Sequence, residues 1–125
     1  MSALTISLER VHDLLDDDGP ADGERRVLVD RLWPRGVKKE RLVHDEWDKD
    51  VAPSSELRKA FHGGELDFEE FSARYRRELE GEAAQALVDR AEEDGADTLV
   101  LLFAAKDVEH NHAQVLQEVL QELAG

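Results

Sequence analysis

Two short segments of the chain carry residue types that could do chemistry together. Asp30-Arg31-Leu32-Trp33-Pro34-Arg35-Gly36 sets a carboxylate, two guanidinium groups and an indole around a Pro-Gly turn. Lys106-Asp107-Val108-Glu109-His110-Asn111-His112 brings an ammonium, two carboxylates and two imidazoles within seven residues. Arg31 and Arg35 offer planar forks that match carboxylate or phosphate, and Lys106 adds a compact positive charge. Ordering two guanidinium groups beside a turn costs side-chain entropy, which points to a ligand. His110 and His112 suit proton transfer near neutral pH, with a carboxylate such as Asp30 to orient one of them. The catalytic candidates are therefore Asp30, His110 and His112. The ligand-binding candidates are Arg31, Trp33, Arg35 and Lys106, acting on a small anionic ligand.

Plainer readings stand beside these. Asp30 could pair with Arg31, Arg35 or Lys106 and only fix strand ends. Trp33 reads as a core anchor before a stacking platform, its indole N–H finding a backbone partner. Either histidine could cap a helix. A metal-dependent hydrolase built on Asp107, Glu109, His110 and His112 is a third reading, but histidines two apart lack the i, i+4 spacing of a zinc-binding helix. No metal or cofactor is assigned. Ser54 and Ser55 have no GxSxG around them, and Gly63-Gly64 lacks a phosphate-loop lysine.

The elements that must position these groups are legible in outline. Residues 4–11 and 26–32 read as strands, and residues 43–52 as a short strand or extended segment. Ser54 or Ser55 caps a helix to about Phe61, stopped by Gly63-Gly64. Asp67 opens a second helix, with Glu70 three residues on and a buried stripe of Phe68, Phe71, Tyr75 and Leu79. Gly81 separates it from a helix over 82–94. Residues 98–105 (TLVLLFAA) form a continuous apolar, β-rich run, the signature of a central parallel strand covered on both faces. Residues 112–124 form the last helix, with Asn111 and Gln114 spaced as a capping pair. The order predicts a single α/β domain over 1–125, a small, mostly parallel sheet with helices packed on its faces. Ligands in such sheets collect beyond the carboxyl ends of the strands, where both segments would lie.

Composition narrows the function classes. There is no cysteine, so disulfides, thiolate metal sites and thiol nucleophiles are excluded. No apolar run approaches the ~20 residues of a membrane span, and the N-terminus has no signal-peptide pattern, so a cytoplasmic protein is expected. The net charge of −14 repels polyanions and makes nucleic-acid binding unlikely. That charge is uneven. Residues 13–24 carry six acids and no base, whereas residues 25–41 carry seven bases and two acids. The basic island either neutralises nearby acids or serves a nucleic-acid or protein interaction module. Oligomeric state is not read from the sequence.

RVLVDRLWPRG at 26–36, DEW at 45–47, APSSELRKAF at 52–61, FSARYRREL at 71–79 and LLFAAKDVEHNHAQVL at 101–116 together resemble the YeaO-like family of uncharacterised bacterial proteins. The resemblance runs from residue 5 to the end of the chain. It implies a compact α/β domain and no settled activity. It directs attention to Asp30, Arg31, Trp33, Pro34, Arg35, Gly36, Trp47, Lys106, His110 and His112. Relatives in the broader group carry a cysteine near the position of Asn111, so any thiol chemistry of theirs does not transfer here.

Overall fold

The apolar run near the C-terminus organises the molecule. In the computed structural model, which describes residues 4–124, it forms β4 (Thr98–Phe103). β4 lies between β1 (Thr5–Arg10) and β2 (Glu24–Leu28), and β3 (Glu46–Trp47) pairs with the outer side of β2. The sheet order is β1-β4-β2-β3, and every pairing is parallel. Four helices complete the domain: α1 (Ser55–His62), α2 (Phe68–Glu78), α3 (Glu82–Glu93) and α4 (His112–Ala124). This is the small parallel α/β sheet that the hydrophobic pattern predicts. Among the described residues, no helix is long and apolar enough to cross a membrane.

β4 is buried on both faces, as a continuous apolar strand must be, but its two covers differ. Leu99, Leu101 and Phe103 join Ile6, Val27 and Val29 against the helices. Val100 and Leu102 join Leu28, Val11, Val37 and Leu42 on the other face. All four helices follow β3 in the chain, and the connections before it contain only loops and short 3-10 turns. The second face is therefore closed by loops, with Trp33 and Trp47 packed at its margin.

Local chemistry sets the helix starts. Ser54 Oγ accepts from Leu57 N at 3.2 Å, and Asp67 Oδ1 accepts from Glu70 N at 2.8 Å. The predicted stripe on α2 is buried, and Tyr75, wholly inaccessible, donates its hydroxyl to Val51 O. Burial first, and then the negative charges of Glu78, Asp30 and Asp48, push the Tyr75 phenol well above its ordinary range. Asn111 Oδ1 accepts from Gln114 N at 3.3 Å, but the Gln114 amide turns to Val108 O instead of closing a reciprocal cap.

The strands end earlier than the apolar pattern extends. β2 stops at Leu28, not Leu32, and β4 at Phe103, not Ala105. Val29 N still donates to Leu102 O at 3.1 Å. The next bond in line, from Ala104 N, goes to the Asp30 carboxylate at 3.0 Å. A side chain thus ends the ladder where a carbonyl would continue it.

The acidic run and the basic island meet in two ion pairs. Arg26, 5% exposed, holds Asp17 through both terminal nitrogens at 2.9 and 2.6 Å and also donates to Gly19 O and Val43 O. Arg41 pairs with Asp16 at 2.7 Å, and Arg25 with Glu46 at 2.9 Å. Arg26 therefore pins the acidic loop over the sheet. Replacing it by methionine strands two carbonyls and a half-buried carboxylate. Arg26→Met is expected to lower stability by about 3 kcal/mol in urea unfolding. A loss below about 0.5 kcal/mol would show that water replaces those bonds freely.

Candidate ligand site at the carboxyl edge of the sheet

Asp30 is the junction of the two segments. It stands two residues after the end of β2, at the carboxyl edge beside the end of β4. Its carbonyl accepts from Trp47 Nε1 at 2.7 Å, and its Oδ2 accepts from Ala104 N at 3.0 Å. Its Oδ1 lies 3.1 Å from His112 Nε2. That nitrogen is also 3.1 Å from Val29 O. One N–H cannot align with both oxygens. Val29 O takes the aligned bond, and Oδ1 is left buried with a close charge neighbour but no hydrogen bond. Both side chains are only about one-sixth exposed, at 16% and 15%.

Around this junction lies a cleft of about 490 Å³. Asp30, Arg31 and Leu32 line it from the first segment, and Lys106, Asp107, His110, Asn111 and His112 from the second. The remaining wall comes from Pro53, Arg58, Phe61, His62, Phe71 and Ala105. The structure thus brings Asp30, Arg31, Lys106, His110 and His112 to one cavity. It does not bring Trp33 or Arg35 there. Trp33 turns to the loop-covered face, where Nε1 donates to Val37 O at 2.6 Å and the ring meets Trp47 edge-on at 5.5 Å. Arg35 is exposed in the turn, where Gly36 adopts φ +78°.

Arg58 and His62 are the site residues that sequence reasoning missed. They sit four apart on α1, so they share a face beside the Leu57–Phe61 stripe. That spacing was visible in the sequence. That α1 lies across the strand ends was not.

The cations of the cleft have few partners within the protein. Arg31 Nε donates to Pro53 O at 2.9 Å, which orients its terminal nitrogens. Arg58 Nε is buried without a partner. Among the described residues, Arg31, Arg58 and Lys106 make no ion pair. The nearby carboxylates are engaged elsewhere. Asp30 is held as above, and Asp107 Oδ1 accepts from Glu109 N and His110 N at 2.9 and 3.0 Å. Those two backbone bonds, chiefly the one from His110, hold the Asp107 carboxyl below its usual range.

His110 and His112 do not converge. His112 turns inward to Val29 and Asp30. His110 turns outward, with Nδ1 3.6 Å from Asp107 and its ring edge-on to Phe68 at 5.1 Å. Among the described residues, no group of three or more His, Asp or Glu side chains gathers as metal ligands.

Two outcomes test this geometry. Asp30→Asn keeps an oxygen for Ala104 N but sets an amide donor against His112 Nε2–H. It should cost about 1–3 kcal/mol in stability and shift the His112 ring signals in NMR. Unchanged stability and ring signals would mean that Asp30 does not hold the junction. The Asp107 carboxyl should titrate below 3.8. Because its folded value is depressed, the order it gives the loop is complete above the unfolded value and is lost as pH falls through the folded one. A midpoint above 3.8 by carbon NMR would contradict the capping role.

The family model described as the inactive DUF488-N3 subclade matches residues 5–124. The uncharacterised protein YeaO of Escherichia coli K12 is 44% identical over 122 residues, covering 96% of this chain and all of that protein. An uncharacterised protein of Mycobacterium tuberculosis H37Rv is 40% identical over 111 residues, covering 89% of this chain and 92% of its own length. A Mycobacterium bovis relative matches to the same extent. No solved structure matches the chain significantly. The chain belongs to the YeaO-like proteins of the inactive DUF488-N3 subclade.

Proposed function

We propose that this protein binds a small anionic ligand in the cleft between the ends of β2 and β4 and helix α1. Arg31, Arg58 and Lys106 would hold the anion. One observation carries the reading. In a chain of net charge −14, Arg58 has a buried Nε with no partner, and it faces a cleft shared with two more cations that no carboxylate neutralises. A buried donor without a partner costs roughly 1–3 kcal/mol. A bound oxyanion would gain charge-assisted bonds from the terminal nitrogens of the arginines and from Lys106.

Binding suits the site better than turnover. His112 directs Nε2 at a backbone carbonyl, and Asp30 spends Oδ2 on a backbone N–H. Both act as fixed parts of the wall. Asp107 is held ionised by its loop, which makes it a weak base. The family description's word "inactive" agrees with a binding role. The interaction-module reading loses ground because Arg25, Arg26 and Arg41 of the basic island are already paired with carboxylates.

Titration with inorganic phosphate, followed by the Arg31 and Arg58 Nε–H signals in NMR, tests the reading. Both signals should shift with saturation. Arg31→Ala and Arg58→Ala should each weaken binding about tenfold or more, since a hydrogen bond to a charged group contributes about 1.5–3 kcal/mol. Absence of saturable binding at low salt would remove the proposal.

A further inference from the structure

The cleft is much larger than an inorganic oxyanion, and one side of it is apolar. Its volume of about 490 Å³ falls within the roughly 300–1,000 Å³ of small-molecule sites. A water occupies only about 30 Å³ of liquid, so phosphate alone would leave most of the cleft wet. One turn along α1 from Arg58, Phe61 is a partly buried ring in the wall, backed by Phe71 stacked at 4.4 Å and 22°. Leu32 stands at the mouth with 60% of its surface exposed, the most exposed large hydrophobic among the described residues. Nothing in the fold requires an apolar side chain there. A ligand that covers Leu32 and the Phe61 ring would.

The geometry points to an aromatic phosphate monoester as the ligand class, a phosphate on the cations and a flat ring between Leu32 and Phe61. This rests on the anion reading above. A tetrahedral phosphate with three free oxygens can meet the separate donors of Arg31, Arg58 and Lys106, whereas a planar carboxylate presents two oxygens in one plane. Because Arg31 Nε is occupied by Pro53 O, its terminal nitrogens are the ones left to face the ligand. Aromatic pairing adds to area burial, so the ring should strengthen binding beyond the phosphate alone.

Calorimetric titration with phenyl phosphate, inorganic phosphate and neutral benzyl alcohol separates the parts. Phenyl phosphate should bind at least about tenfold more tightly than inorganic phosphate, and benzyl alcohol should bind no better than inorganic phosphate. Leu32→Gln, at an exposed position that leaves folding intact, should weaken phenyl phosphate several-fold and leave inorganic phosphate unchanged. Arg58→Ala should weaken both anions. Equal affinity for the two anions, both dependent on Arg58, would overturn the aromatic ligand and leave the anion site standing. Binding of neither anion, or phenyl phosphate binding indifferent to Arg58→Ala, would overturn both.

Discussion

The fold depends on one constraint: β4 is apolar on both faces and must be covered on both. A strand of this kind cannot sit at an edge, so the chain places it between β1 and β2. Parallel pairing on each side follows from the long connections that separate these strands in sequence. The three strands therefore end at the same edge. Chemistry collects there because the chain leaves the sheet at that edge, and Asp30 and Lys106 follow within two or three residues of the ends of β2 and β4. Asp30 and Ala104 are neighbours for this reason and no other.

Charge is a second constraint, and it explains why the cleft stands out. The chain carries 30 acids against 16 bases, so carboxylates outnumber the cations nearly two to one. Arg25, Arg26, Arg41, Arg76 and Arg90 all take them. Arg90 also joins buried Asp48, whose carboxyl is pushed up by burial more than Arg90 lowers it. Arg58 lies outside these pairs, on α1 at the wall of the cleft. Surface lysines also lack partners, but water solvates them at little cost. The Arg58 Nε is buried and has no partner.

Much of this was legible in the sequence, and the residues show why. Periodicity marked α2 and α4, because a buried stripe needs positions three and four apart. The caps at Ser54 and Asp67 were readable because capping is a local bond. The strand ends were overextended by two to four residues, since the apolar run continues past the point where the Asp30 side chain ends the ladder. The cleft was half legible. Topology alone placed Asp30, Arg31, Lys106, His110 and His112 at one edge. It could not place Arg58 or His62, which reach the site only through the docking of α1. Nor could it turn Trp33 away, because that direction is decided by packing against Trp47.

The division between rigid and separable parts of the site bears on how a ligand would act. Asp30, Ala104, Trp47 and His112 are joined through backbone bonds to three strands and to the first turn of α4, so that side is one body with the sheet. Arg58 and Phe61 belong to α1, which packs chiefly on α2, through the stacked Phe61 and Phe71 rings. Arg31 crosses between them by its bond to Pro53 O just before α1. An anion held by both arginines would therefore tie the sheet edge to α1 across the cleft. Its binding free energy would appear as tighter docking of that helix, because a ligand that binds the closed arrangement stabilises whatever keeps it closed.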